Sequence, residues 1–83
     1  MNNPEAIKRR IIITLNQCFC DFGIRFFTKK HLLELARQDV HVLSVVLQDW
    51  EEKKFIKIVK PLEEAVDQDI CVQILLPIEG APY

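Results

Sequence analysis

The spacing of the apolar residues changes within the segment LQDWEEKKFIKIV, which covers residues 47–59. As far as Trp50, apolar side chains recur every three or four positions, which is the pattern of one helix face. From residue 55 to residue 60, apolar and polar side chains alternate, which is the pattern of a strand with one buried side. The segment therefore predicts a helix that ends near Lys53 and leads directly into a β-strand.

A second alternating run covers residues 71–76, and a loop of residues 61–70 separates it from the first run. Two alternating runs joined in this way predict an antiparallel β-hairpin. Residues 77–83 contain two prolines and a glycine, which favour irregular structure. We therefore expect a single domain over residues 1–76 and an irregular C-terminal tail over residues 77–83.

Short capping signals place the ends of the helices that precede this hairpin. Asn3 followed by Pro4 is typical of a helix start, because Asn caps free N–H groups and proline has none to leave unpaired. Gly23 is typical of a helix stop, and Thr28 and Asp39 are further capping residues. The aromatic, β-prone stretch after Gly23 favours a short strand. The predicted elements are a helix over residues 4–22, a short strand over 24–27, and helices over 29–37 and 40–53.

Residues 47–59 resemble the end of the recognition helix and the first wing strand of winged-helix proteins. In that superfamily a leucine-rich helix ends in charged residues, and an apolar pair then opens the wing. Lys54 occupies the turn position that is usually glycine, and the connection from Ala36 to Leu43 is shorter than usual. The resemblance covers about residues 4–76. It implies an α+β winged-helix fold, with three helices and a C-terminal β-hairpin wing, that binds DNA or another protein.

The composition fits a compact, ordered domain, since 49% of the 83 residues are apolar and only two are glycine. No apolar run approaches the ~18–20 residues that a membrane span requires, and the first residues lack the pattern of a signal peptide. We therefore expect a cytoplasmic domain without membrane association. Cys18, Cys20 and Cys71 are odd in number and stand among apolar neighbours, so we expect reduced core thiols. A disulfide between Cys71 and one of the first two is the alternative.

The charges are unevenly distributed, although the formal net charge is only −1. All eleven Lys and Arg residues lie in residues 1–60, where seven acids leave a net charge of +4. Residues 61–83 contain five acids and no base, which gives −5. Such a division indicates either a functional acidic segment or two surfaces that attract each other in the folded chain.

The third helix bears on the choice between the two partners that the resemblance implies. If Leu43, Leu47 and Trp50 face the core, a set of other residues faces outwards. Readout of bases uses Arg or Lys on guanine and Asn or Gln on adenine, and this outer face has no Arg or Lys. We therefore favour another protein as the partner. The candidate protein-binding residues are His41, Val42, Ser44, Val45 and Gln48.

A DNA-binding transcriptional regulator is the alternative. Lys29 and Lys30 lie in the first turn of the second helix, where free N–H groups and the helix dipole favour an anion. Further cations line the base of the wing, but the wing loop is acidic and would repel a phosphate backbone. A solvated surface explains the same cations equally well. The candidate phosphate-binding residues are Arg25, Lys29, Lys30, Lys57 and Lys60, and the loop acids are Glu63, Glu64, Asp67 and Asp69.

No sequence pattern points to catalysis, a cofactor or a metal ion. Cys18 and Cys20 are two positions apart on a helix, so their side chains point to different sides and form a poor chelate. His41 precedes Ser44 by three positions, a spacing that is more often chance than a catalytic pair. The chain lacks a glycine-rich phosphate loop. We therefore expect a binding protein and not an enzyme.

The first helix has more apolar residues than one packed face requires. Its main stripe runs from Ile7 to Phe22, and further apolar residues lie beside that stripe. The surplus indicates either a homodimer contact through the first helix or coverage by the C-terminal tail. The candidate dimer-contact residues are Ile12, Ile13 and Phe19.

Overall fold

The structure, a computed structural model, describes residues 3–78 and contains three α-helices and three short β-strands within that range. The elements are α1 (Pro4–Phe22), β1 (Phe26–Thr28), α2 (Lys29–Leu35), α3 (Val40–Glu52), β2 (Ile56–Ile58) and β3 (Ile70–Ile74). Their order is the one that the sequence predicts. The domain is therefore α+β with a winged-helix-like arrangement, in which a short strand follows the first helix and an antiparallel hairpin follows the third.

The capping signals are confirmed at the start of every helix. A side-chain oxygen of each capping residue accepts a hydrogen bond from a backbone N–H of the following turn. The caps are Asn3 for α1, Thr28 for α2 and Asp39 for α3. α1 ends at Gly23, whose φ of 68° lies in the left-handed region that glycine adopts without strain. These local signals explain why the bounds of α1 were predictable.

α2 ends at Leu35, two residues before the predicted end at residue 37. Arg37 and Gln38 have φ values of 53° and 65°, and two successive left-handed residues cannot continue a right-handed helix. The predicted cap at Asp39 indicated a break between the two helices, but neither left-handed residue is glycine, so the form of the turn had no sequence signal. Lys54 also has a positive φ of 68°, at the position that is usually glycine in winged-helix proteins.

The sheet has the strand order β1-β3-β2, and both pairings are antiparallel. The predicted hairpin is thus confirmed, with strands shorter than the runs over residues 55–60 and 71–76. Phe27 pairs with Val72 and Thr28 with Ile70, so Cys71 is the extra residue of a β-bulge. Because of the bulge, Cys71 and Val72 are both buried.

The core combines one side of every helix with the inner side of the sheet. Leu43, Leu47 and Trp50 are buried, which confirms the inner face predicted for α3. Ile78 is also part of the core, although it lies in the predicted irregular tail and in no helix or strand. The buried Asn16 side chain fixes it, since Asn16 donates to the carbonyl of Ile78 and accepts from its amide, both at 2.7 Å. The remainder of the predicted tail lies outside the described residues.

The three cysteines are free, but they do not share one environment. Cys71 is buried and Cys18 is half-buried, whereas Cys20 is exposed, so the expectation of three core thiols is corrected for Cys20. Burial raises the pKa of the Cys71 thiol, since the thiolate would lose its hydration. Within the described range, no helix has an apolar stretch long enough to cross a membrane.

Candidate interaction surface

α3 lies as a ridge between two grooves. One groove, with a volume of about 440 Å³, separates α3 from β2 and the loop after it. The other, of about 420 Å³, separates α3 from the first turns of α1. Ser44 and Gln48 line the first groove, whereas His41, Val42 and Val45 line the second. The structure thus distributes the five predicted protein-binding residues over both flanks of one helix.

The crest of this ridge has an exposed apolar residue among polar ones, since His41, Gln48 and Glu52 are exposed as well. Val45 is 55% exposed although it lies in the middle of a helix. Val42 is half-buried and packs against the core, so it forms part of the groove floor and does not point straight into solvent. Glu5 and Lys8 of α1 face these valines across the second groove. Sequence reasoning did not find the α1 residues, because only the packing of α1 against α3 brings them here.

The charge of α3 is negative along its second half. Residues 40–52 contain three acids, Asp49, Glu51 and Glu52, and no Lys or Arg. Glu51 accepts a hydrogen bond from the amide of Ile58 at 2.9 Å, and Asp49 forms an ion pair with Lys53 at 3.1 Å. A carboxylate-bearing helix opposes the approach of a phosphate backbone.

The loop between β2 and β3, residues 59–69, folds back onto the domain. Leu62 and Ala65 are buried in the core. The ammonium group of Lys29 donates to the backbone carbonyls of Leu62 at 2.8 Å and Ala65 at 2.9 Å. The sequence did not distinguish these two residues from Val59 and Val66 of the same loop, which are exposed. The loop acids therefore belong to a loop that packs against the domain, and not to the tip of a projecting wing.

The start of α2, proposed above as a phosphate site, has its N–H groups engaged. The amide of Lys29 donates to the carbonyl of Asp69, and that of Lys30 to the carbonyl of Asp67, both at 3.0 Å. The amide of His31 donates to the hydroxyl of Thr28 at 3.3 Å. An anion at this helix terminus would have to replace these internal acceptors. The predicted phosphate site depends on free N–H groups, and the N–H groups of Lys29, Lys30 and His31 are not free.

The other candidate phosphate-binding residues differ in their surroundings. Lys60 forms an ion pair with Asp69 at 2.9 Å. This hydrogen-bonded pair raises the pKa of Lys60 and lowers that of Asp69. The guanidinium of Arg25 lies 5.7 Å from the ring centre of Phe19. Lys30 and Lys57 are exposed, and neither forms an ion pair within residues 3–78.

The candidate dimer residues on α1 are mostly used by the fold itself. Ile12 is fully buried in the core, so its assignment to a dimer contact is corrected. Asn16 lies one turn after Ile12 and holds the backbone of Ile78, so Ile78 lies against this side of α1. Ile13 and Phe19 are half-buried, and Arg25 stacks on Phe19.

Among residues 3–78, no group of three or more His, Cys, Asp or Glu side chains converges as a metal site would require. Comparisons with family models, with curated proteins and with solved structures found no significant match to this chain. The class therefore rests on the arrangement of its elements, which is that of a winged-helix-like α+β domain. The ridge of α3 with its two grooves is its candidate interaction surface.

Proposed function

We propose that this chain is a non-enzymatic binding module of the winged-helix superfamily that contacts another protein through the outer side of α3. The observation that carries the proposal is the exposed Val45 on a ridge between two grooves. Exposed apolar side chains beside concave surfaces are typical anchors of protein–protein contacts. Single exposed apolar residues are common on protein surfaces, so it is the position of Val45 beside two grooves that supports the proposal.

The groove between α1 and α3 suits one apolar side chain of the partner with charged residues around it. Val42 and Val46 line its buried side, Val45 lies at its exposed edge, and its rim has both charge signs, with Lys8 on α1 and Asp49 on α3. An apolar floor favours burial of an aliphatic or aromatic group, and a rim of both signs selects its orientation.

DNA binding is the alternative function, and the electrostatics of α3 argue against it. A recognition helix normally presents donors to bases and lies close to two phosphate backbones. Here the helix carries three acids, and Lys29 is held by the loop carbonyls of Leu62 and Ala65. The exposed Lys30 and Lys57 are the observation in favour of DNA, because they remain available for phosphate contacts.

A titration with duplex DNA at low and at moderate salt separates the two functions. We expect at most weak retardation of the DNA. We expect that weak binding to be the same when Lys30 or Lys57 is replaced. Binding whose affinity falls steeply with salt, with a slope equivalent to several phosphates, would overturn the protein-binding proposal. The charge reversals Lys30→Glu and Lys57→Glu show whether any such binding uses the cations named here.

A photo-reactive amino acid at position 45 tests the protein contact directly. In cells that naturally contain the chain, we expect position 45 to cross-link to one discrete partner, and we expect Val45→Asp to abolish its co-purification. Position 66 is the matched control, since Val66 is 64% exposed, lies in the loop between β2 and β3, and lines neither groove beside α3. Equal cross-linking from both positions, or unchanged co-purification with Val45→Asp, would reject the α3 surface.

A further inference from the structure

Each strand of the sheet has one side on the core and one side towards solvent. Phe27, Ile56 and Ile74 are buried, so the more exposed residues that alternate with them, Phe26, Lys57, Gln73 and Leu75, point the other way. The bulge at Cys71 turns Ile70 to that same outer side. We call this surface the outer sheet face. It consists of Ile24, Phe26, Lys57, Ile70, Gln73 and Leu75.

The outer sheet face is unusually apolar for a surface in contact with water. Four of its six residues, Ile24, Phe26, Ile70 and Leu75, are large apolar side chains that are 42 to 52% exposed. In an antiparallel sheet with one face in water, the residues on that face are normally polar. Contiguous exposed apolar residues of this kind mark an interaction surface.

The strand register places Phe26 and Lys57 at equivalent positions on either side of the central strand. Gln73 on the central strand pairs with Phe26 on one side and with Lys57 on the other. Phe26 and Lys57 therefore lie at equal height, one strand away from Gln73 in opposite directions. Lys57 is the single charge among the six residues, and it forms no ion pair within residues 3–78.

We propose that the outer sheet face binds a second copy of this chain, about a two-fold axis that runs parallel to β3 between the two sheets. This rotation places β1 of one copy over β2 of the other, and β3 over β3. Phe26 then lies over Lys57 of the second copy, where the ring attracts the ammonium group. Gln73 and Leu75 each lie over the same residue of the second copy. Side-chain amides therefore contact each other, and so do apolar side chains.

The charge and the size of the face both favour a second copy as its occupant. The rotation separates the two Lys57 residues by about 14 Å and gives each an aromatic partner. With roughly 100 Å² for each half-exposed side chain, the face offers on the order of 500 Å² per copy. Two copies together bury about 1,000 Å², which is near the lower limit of the area of specific interfaces. The dimer is therefore weak and forms at high protein concentration.

Sedimentation equilibrium of the full chain over a wide range of concentration tests the interface. We expect a reversible equilibrium between monomer and dimer, weakened at least tenfold by Phe26→Ser and by Leu75→Ser. Val66→Ser is the control, because it removes an exposed apolar side chain that is not part of the outer sheet face, and we expect it to leave the equilibrium unchanged. Circular dichroism confirms that each variant is folded. A strict monomer at high concentration, or a dimer that both serine variants preserve, overturns the proposal.

Cross-linking tests the position of the axis. In a Cys18→Ser, Cys20→Ser background, a short bismaleimide is expected to join two Gln73→Cys chains, whose backbones are about 10 Å apart across the axis. Lys57→Cys chains, about 14 Å apart, are expected to cross-link far less. Efficient cross-linking at position 57 and none at position 73 overturns the axis.

This inference is independent of the α3 proposal, and one variant separates the two. Val45→Asp changes the ridge of α3 and leaves the outer sheet face intact, so we expect it to dimerise as the wild type does. If Val45→Asp abolishes the dimer while Phe26→Ser preserves it, the self-association belongs to α3 and the sheet interface is rejected.

Discussion

The two faces of the three-stranded sheet have similar side chains and opposite environments. Phe27 on β1 and Ile74 on β3 are almost completely buried, whereas their sequence neighbours Phe26 and Leu75 are about half exposed. The inner face is covered by the helices and by the loop between β2 and β3. The outer face is covered by nothing among residues 3–78.

The comparison separates two reasons for an apolar residue in a strand. On the inner face the hydrophobic effect stabilises the fold, since these side chains leave water when the chain folds. On the outer face the same chemistry contributes little to folding, because much of the apolar surface stays in water in the folded monomer. An apolar face that the monomer does not bury indicates a contact made after folding.

The largest expected effect comes from the core on which the inner face packs. Trp50→Ala is expected to lower the free energy of unfolding by about 3–5 kcal/mol, because it leaves a large cavity under the sheet. This is most of the stability of a small domain. Denaturant unfolding at low protein concentration measures it. The matched change on the outer side of α3, Val45→Ala, is expected to stay within about 0.5 kcal/mol.

The pair Phe26 and Phe27 tests the two faces with one residue type on one strand. We expect Phe27→Ala to cost about 3–5 kcal/mol, and Phe26→Ala to cost less than about 1 kcal/mol in the monomer. The measurement is urea unfolding of both variants at a concentration where the chain is monomeric. Similar losses of stability for the two variants would show that both faces are covered in the folded monomer.

A smaller effect is expected from the lysine that holds the loop over the inner side. Lys29→Met keeps the aliphatic stem but removes two hydrogen bonds to the carbonyls of Leu62 and Ala65, at a cost of about 1–2 kcal/mol. Lys30→Met is the neighbouring control, because Lys30 is exposed, and we expect a change within about 0.5 kcal/mol. Thermal unfolding of both variants checks this. An equal, small effect would mean that the loop does not depend on Lys29.

The smallest expected effect concerns the exposed pair of Lys60 and Asp69 at the end of the sheet. The hydrogen bond from Lys60 lowers the pKa of Asp69 below its usual 3.8, so the folded state favours the ionised carboxylate. The pair therefore stabilises the fold at neutral pH, and this contribution is lost as the pH falls through the lowered pKa. Water and salt screen the pair, so the effect is slight.

Melting curves of the wild type and of Asp69→Asn over a range of pH measure that contribution. We expect the variant to melt slightly earlier at neutral pH and low salt, and the difference to disappear in acid or at high salt. A difference that persists unchanged in acid would show that the effect does not come from the charge of Asp69, since Asn keeps an oxygen acceptor for the amide of Val66.

Most of the element order was predictable because its signals are local. Asn3, Thr28 and Asp39 are caps that act on the next three residues, and Gly23 ends α1 through its own φ. The early end of α2 was not predictable, because Arg37 and Gln38 adopt left-handed angles although neither is glycine. Of the candidate site, the outward residues of α3 followed from helical spacing, but the grooves on both sides of them did not.

By itself the sequence determined where the helices begin, where the period changes from helix to strand, and which side of α3 faces the core. These properties depend on contacts between residues a few positions apart. The tertiary structure alone decided that Lys29 binds loop carbonyls, that Ile12 and Ile78 belong to the core, and that residues 3–78 leave the outer sheet face about half exposed. The physical reason is that these outcomes depend on which distant segments pack together, and many distant pairings share the same local pattern.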